Sequence, residues 1–408
     1  QDDQLDVMAA AGRLSLEYMD KIAIKLAHFH QNAATLDNKA AFGTPDLVYS
    51  PMAQNFDQIG EFLTDELQKA QLARIKQWTD AQFAALTPLL IQRREQGYIR
   101  ECHGDMHLAN MALIDDELVI FDGIEFNDDF RWIDVINDLA FLLMDLNDRG
   151  LQAHSRRLLN RYLEETGDYA ALPLLRFYLT YRAMVRAKVA LFSLHHADDD
   201  SARAKIWQTY QRYADLAESF TSHDQPMLII THGVSGSGKS IASGIMVEAI
   251  GAIRIRSDAE RQRLFSDGQA HKDNNANVGA GIYTADATEQ TYQHLLNLAE
   301  MIVSAGYTAI GDATFLKAKY RASWRELANR LGVPFYILDM HCDIPTLERF
   351  VTERLKAEVD ISEANLEVLH HQLETREPLS EVERKHALVI HCDAPIGAQI
   401  GEWLPRLI

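Results

Sequence analysis

The string Gly233-Val234-Ser235-Gly236-Ser237-Gly238-Lys239-Ser240 carries more chemistry than any other in the chain. It satisfies G-x-x-x-x-G-K-[ST] in full. Glycines let backbone N–H groups close round phosphate oxygens, and a following helix adds partial positive charge at its N-terminus. Gly233, Ser235, Gly236, Ser237 and Gly238 are therefore the expected phosphate cradle. Lys239 is expected to reach the β and γ phosphates, and the Ser240 hydroxyl to ligate Mg²⁺. ATP and Mg²⁺ are the expected cofactors. Two carboxylates accompany the loop. Asp312 follows Thr308-Ala309-Ile310-Gly311, and at the end of a neighbouring strand it would hold the hydration shell of the metal. Asp258 follows Ile255-Arg256-Ser257 at another strand end. There it can orient an acceptor hydroxyl and take its proton, and it can also cap a helix over 259–264. Arg349 and Arg354 fall on a helix after the strand at 335–340. A planar cation there would stabilise charge on the group in transfer. Arg354 is preferred because residues 356–363 read as a mobile segment; a solvated charged face is the alternative.

A second string, His103-Gly104-Asp105-Met106-His107-Leu108-Ala109-Asn110, has different spacing. Asp105 and Asn110 are five apart, and Asp122 follows Asn110 by twelve, beyond a hairpin. In kinase-type transfer one Asp positions the acceptor hydroxyl, and an Asn and a second Asp hold Mg²⁺ against the phosphates. Asp105, Asn110 and Asp122 suit those roles in that order. The competing reading is a helical scaffold that keeps relict residues. Cys102, His103 and His107 do not make a zinc site, because Gly104 breaks the helical spacing and no fourth ligand is suitably placed. His195 and His196 beside Asp198, Asp199 and Asp200 read as a polar surface turn. Arg182, Arg186 and Lys188 could hold an anion or meet another domain, and read in preference as paired surface charges.

The elements that must position these residues fall into two textures. Residues 5–36 and 56–96 have helical apolar spacing. Residues 98–102 read as a short strand, and 111–114 and 118–121 as a hairpin turning at 115–117. Long helices return over 132–220. A polar stretch at 219–226, closed by Pro226, is the expected linker between domains at 1–222 and 226–408. Beyond it, strands at 227–231, 252–256, 308–310, 335–340 and 388–391 alternate with helices at 240–250, 284–305, 319–331 and 345–357. That alternation predicts a parallel sheet covered on both faces.

Residues 227–400 resemble the small P-loop kinases of the gluconate-kinase, zeta-toxin and polynucleotide-kinase type. The resemblance is carried by residues 233–240, Arg256-Ser257-Asp258, Gly311-Asp312-Ala313-Thr314-Phe315 and Arg354. It implies phosphoryl transfer to a hydroxyl. Residues 5–220 resemble the aminoglycoside and choline phosphotransferase branch of the kinase-like fold. That likeness rests on residues 103–110, Phe121-Asp122-Gly123-Ile124-Glu125-Phe126, Trp132-Ile133-Asp134-Val135 and Asn137-Asp138-Leu139-Ala140. The two together imply an α/β P-loop NTPase domain preceded by a mostly helical protein-kinase-like C-lobe, a bacterial two-domain arrangement. The small lobe such kinases carry does not precede Asp105; it lies upstream of Gln1 or is lacking by nature.

Composition narrows the partners. The 408 residues carry a formal net charge of −19. A field of that sign disfavours nucleic acid and anionic membrane as partners. No apolar run reaches the ~20 residues of a membrane span. Three widely spaced cysteines, Cys102, Cys342 and Cys392, read as free thiols in a reducing, cytoplasmic compartment. The expected function is a kinase acting on a small polar metabolite such as a sugar. The alternative is a nucleotide-dependent switch with slow hydrolysis and a protein partner.

Overall fold

The computed structural model describes residues 3–36, 41–115, 117–222, 224–265, 284–357 and 365–407, with only the backbone for 354–357 and 406. The chain divides into two compact units, Gln1–His223 and Asp224–Ile408.

The first unit opens with α1 (Leu5–Ala10), α2 (Leu16–Asn32), α3 (Pro45–Gly60) and α4 (Glu66–Glu95). The helical texture expected over 5–36 is interrupted: Gly12 takes φ +67°, and the chain is extended at Ser15 before α2 begins. Thr44 and Asp65 cap α3 and α4 by accepting from the N–H groups of the first turn, and Pro45 stands where its missing N–H costs nothing. Strand β1 (Ile99–Glu101) and the hairpin β2 (Met111–Ile114) and β3 (Glu117–Ile120) follow. After α5 (Asp128–Arg131), strand β4 (Trp132–Asp134) pairs antiparallel with β1, a strand the sequence reading had placed in helix. Then come α6 (Val135–Asp148), α7 (Gln152–Thr166), α8 (Leu172–Phe192) and α9 (Asp200–Ser219). Helix α6 is buried along residues 135–146 and runs through the core of this unit, and its buried Asn137, Asp138 and Asp145 side chains must find partners there.

An ion network ties α4 to β4 and to the turn between α7 and α8. Arg93 of α4 is 1% exposed. Its guanidinium donates to both Asp134 oxygens at 2.7 and 2.9 Å and both Asp168 oxygens at 2.7 and 2.8 Å. Asp134 also caps α6 through the Ile136 N–H, at 3.0 Å.

The second unit runs β5 (Leu228–His232), α10 (Lys239–Ile250), β6 (Ile253–Arg256), α11 (Ser257–Phe265), α12 (Ala285–Ser304), β7 (Ala309–Asp312), α13 (Ala318–Leu331) and β8 (Phe335–His341). It ends with α14 (Ile344–Ala357), α15 (Leu366–Thr375), α16 (Glu381–Arg384), β9 (Ala387–His391) and α17 (Ile396–Trp403). The five strands form one parallel sheet in the order β6-β7-β5-β8-β9. The central strand β5 is buried on both faces over Leu228-Ile229-Ile230, as a continuous apolar run between two layers of helix requires. Strand order reverses at β5, so the crevice for a ligand lies at the carboxyl ends of β5 and β8.

Arg321 of α13 is a second buried cation. It donates to Glu383 Oε1 at 2.7 Å and to the Phe315 carbonyl at 3.0 Å. Burial pushes the Glu383 carboxyl up, but Arg321 and the Ser380 bonds outweigh it and hold it down at about 2. A carboxylate whose folded pKa lies below its unfolded 4.5 contributes fully above pH 4.5. The contribution is lost as pH falls from 4.5 through about 2. Over that window wild type is expected to lose on the order of 3 kcal/mol that Glu383→Gln does not lose. Denaturation midpoints against pH for the two proteins check this, and parallel curves below pH 4.5 would refute it.

Candidate functional site

The P-loop lies where the reversal of strand order puts the crevice. β5 enters it, α10 leaves it, and Lys239 is the first residue of the helix. Gly236 and Gly238 take φ +81° and +86°, conformations that side chains resist. A Cβ on Gly236 would stand 2.9 Å from Val351 Cγ2, and one on Gly238 would stand 3.0 Å from Ile396 Cδ1. The loop is thus pressed by α14 on one side and α17 on the other. Val234 is buried with Leu316, Leu347, Val351 and Leu369. Lys239 Nζ donates to the Val234 carbonyl at 2.7 Å, and the Ser237 hydroxyl donates to the same oxygen at 2.8 Å. The Ser235 N–H donates to Gln372 Oε1 of α15 at 2.8 Å, so a side-chain carbonyl rests on one of the loop's donors. Ser240 is exposed at the first turn of α10.

Asp312 ends β7, the strand beside β5. It is 5% exposed and accepts from the Ser243 hydroxyl of α10 at 3.0 Å, one turn beyond Ser240. Further bonds lock the ends of the two strands. Thr231 Oγ1 donates to the Ala313 carbonyl at 2.6 Å and accepts the Ala313 N–H at 3.1 Å. The Gly233 N–H donates to the Thr314 carbonyl at 3.1 Å. Phe315 then takes φ +45°, unusual for an aromatic residue. It is held there by the Tyr292 hydroxyl on its N–H, Arg321 on its carbonyl, and edge contacts with the Tyr292 and Trp324 rings. Such over-determined strain is how a ligand-side loop is fixed in place.

Asp258 lies two residues past Arg256, whose register partner is Asp312. It is half-buried in the first turn of α11. The helix begins at Ser257, so Asp258 is a helical residue and not the cap of a helix starting at 259. Arg349 follows on α14. Arg354 falls on the last turn of α14, where its side chain, like most of residues 356–363, lies outside the described residues.

Between β5 and β8 the carboxyl edge carries a group absent from the sequence reading. Asp339 accepts from His232 Nδ1 at 2.6 Å and from His341 Nε2 at 2.8 Å. Burial pushes the Asp339 carboxyl up, yet the two imidazoles more than offset it and hold it below the usual range. His232, Asp339 and Cys342 line a cavity of about 320 Å³ with Gly233, Val234 and Ser237 of the P-loop. The signal lay in the register of β5 against β8, which pairs His232 with Asp339. Two strands 107 residues apart do not advertise it.

In the first unit, Asp105 and Asn110 do come together. Asn110 Nδ2 donates to the Asp105 carbonyl at 3.0 Å and to its carboxylate at 3.3 Å. Asp122 follows Phe121, whose N–H donates to the Asn110 carbonyl at 3.1 Å, and takes φ +63°. Burial would raise the Asp105 carboxyl; the His107 bond and the charges of His107, Arg182 and Arg186 outweigh that and lower it. The scaffold beneath is Asp138 of α6. It is fully buried and accepts the N–H groups of His103 at 3.1 Å and Gly104 at 2.9 Å. Arg182 is a correction to the surface-charge reading. It is 5% exposed and donates to the Gly104 carbonyl and to Asn137 Oδ1, under the loop. His30, Cys102 and Asp138 gather potential metal ligands, but His30 already bonds Asp138 and Tyr162, and burial holds the Cys102 thiol far above its usual range. This grouping is a hydrogen-bonded core.

Residues 228–379 match a protein-family model described as an AAA domain. An uncharacterized protein of Mycobacterium tuberculosis strain H37Rv is 29% identical over 328 residues, which are 80% of this chain. The chain spans 64% of the length of that relative. Among solved structures, a sugar kinase from Janibacter is similar at 20% identity. The match covers 45% of this chain and 94% of that one, with a TM-score of 0.33. A gluconokinase from Sinorhizobium meliloti is similar at 23% identity, covering 45% and 95%, with a TM-score of 0.32. Among the described residues, no helix is long and apolar enough to cross a membrane.

Proposed function

We propose that the second unit is an ATP- and Mg²⁺-dependent kinase acting on a hydroxyl of a small polar metabolite. The observation that carries this reading is the pairing of a complete P-loop with Asp312, bonded through Ser243 to the helix that bears Ser240. The backbone of Gly233, Ser235, Gly236, Ser237 and Gly238 cradles the phosphates. Ser240 and Asp312 are the residues that would hold Mg²⁺, directly and through water. The metal supplies charge neutralisation between the phosphates when bound. Lys239 leaves the Val234 carbonyl for the β and γ phosphates. Asp258 orients the acceptor hydroxyl and takes its proton, and Arg354 neutralises charge on the transferred group. The chain's acidity favours a small acceptor over a polynucleotide. ATP consumption against sugars, amino sugars, nucleosides and aminoglycosides tests this, with Lys239→Ala as control. Turnover raised by one compound class supports the kinase. ATP binding with no compound effective favours the switch reading and a protein partner.

The first unit we read as an aminoglycoside-phosphotransferase-like C-lobe, in which Asp105 positions an acceptor and Asn110 and Asp122 hold metal. The support is the loop itself, with Asp105 and Asn110 bonded and its backbone suspended on Asp138. In a chain of the relatives' full length, Asp105→Asn is expected to lower a second phosphotransfer activity by at least ~10²-fold. Unchanged activity there would remove the first unit from the chemistry.

A further inference from the structure

Cys342 and Cys392 correct the expectation of free thiols. Cys342 follows β8 and Cys392 follows β9, and the register that pairs His341 with His391 sets them side by side. Their Cα atoms are 5.4 Å apart and the two are joined as a disulfide, across 50 residues of sequence. Parallel pairing of the two strands is what brings them together; spacing along the chain gave no hint of it.

Each cysteine lies ahead of a helix that presses on the P-loop, Cys342 two residues before α14 and Cys392 four residues before α17. After Cys342, Asp343 accepts the Thr346 N–H at 2.8 Å and so begins α14. Leu347 and Val351 of that helix pack on Val234, Cys342 packs against the same cluster, and Val351 closes on Gly236. Before Cys392, the His391 backbone is held from both sides by Gln399 of α17, at 2.8 Å for each bond. Ile396 of α17 closes on Gly238. The disulfide therefore links the segments that lead into the two helices that confine the loop.

We propose that Cys342–Cys392 is a redox-active site, reduced by dithiols, whose state sets the nucleotide affinity of the P-loop; this rests on the kinase reading of that loop. Both cysteines are half-buried, between the exposed residues His341, Asp343, His391 and Asp393, so a reductant reaches them. A reductant thiolate attacks one sulfur, the S–S bond breaks, and the released protein thiolate takes a proton. The second thiol of the reductant then closes its own disulfide and displaces the other cysteine. Two electrons and two protons pass to the protein pair, and the dithiol leaves as a cyclic disulfide. Cys102 is buried with a strongly raised thiol pKa and takes no part.

The test uses the full chain and two readouts. Thiol titration in denaturant is expected to find one thiol before reduction, Cys102, and all three after dithiothreitol. A fluorescent ATP analogue is expected to bind more weakly to the reduced chain, on the order of tenfold. The Cys342→Ser/Cys392→Ser double variant is expected to bind like the reduced chain and to ignore dithiothreitol. Three thiols without reductant, equal affinity in both states, or a double variant that still responds would each overturn the proposal. Absence of nucleotide binding in every form overturns the kinase reading and the coupling with it, whereas binding indifferent to dithiol overturns the coupling alone.

Discussion

Alanine at position 239 is expected to cut acceptor-dependent ATP turnover by on the order of 10²–10³-fold, the scale of losing one preorganised donor from a charge-stabilising site. The lysine begins α10, and its Nζ reaches 2.7 Å from the Val234 carbonyl inside its own loop. It is therefore already folded over the space that the loop encloses. Moving from a neutral carbonyl to phosphate oxygens exchanges a modest hydrogen bond for a charge-assisted one. That exchange strengthens as charge builds on the transferring group, so the loss should fall mainly on kcat and less on KM. The fold should change little, because Val234 stays packed among Leu316, Leu347, Val351 and Leu369. Steady-state kinetics with the best acceptor of the panel, beside a thermal melt, separate these effects. Turnover within a few-fold of wild type in a folded variant would move the chemistry away from the P-loop.

Arg93→Ala is expected to destabilise the first unit by about 3–5 kcal/mol, the cost of breaking a buried ion pair from one side. A domain has on the order of 5–15 kcal/mol in all, so the loss is a large share. The reason is what remains. Asp134 and Asp168 are 1% and 4% exposed, and without the guanidinium two carboxylates face each other with no cation between them. Asp134 cannot move away freely either, because it also caps α6 through the Ile136 N–H. Arg93→Lys is expected to recover little, since one ammonium cannot serve four oxygens in two planes. Denaturant unfolding of the three proteins decides it. A shift worth less than about 1 kcal/mol for the alanine variant would mean that the network relaxes or takes in water.

Much of the second unit was legible because its signals are local. Leu228-Ile229-Ile230 running into a glycine-rich loop and a helix can be read within twenty residues, and the strands at 253–256, 309–312, 335–341 and 387–391 fell where apolar runs placed them. Asp312 was legible as the polar residue that ends such a run. The helices at 366–375, 381–384 and 396–403 were not read, since each is short, at ten, four and eight residues, and offers too few turns for an apolar period to show. What escaped altogether depends on register. Arg93 meets Asp134 and Asp168 across 41 and 75 residues, His232 meets Asp339 across 107, and Cys342 meets Cys392 across 50. Arg182 looked like surface charge because helix α8 is rich in basic residues on several faces, and only packing shows which one turns inward under Gly104.

The loop over 103–108 hangs from one helix by its amides. His103 and Gly104 donate to Asp138, and Leu108 donates to Asp145 Oδ2 at 3.0 Å. Both carboxylates belong to α6, which is buried over residues 135–146. Ordinarily a loop's amide protons trade with solvent quickly, on the clock of local fraying. These three are shielded by groups that come away only when the central helix does. A stretch with the shape of a loop therefore keeps the hydrogen-exchange clock of the core, and Asp105 sits between its anchor points with little freedom to drift.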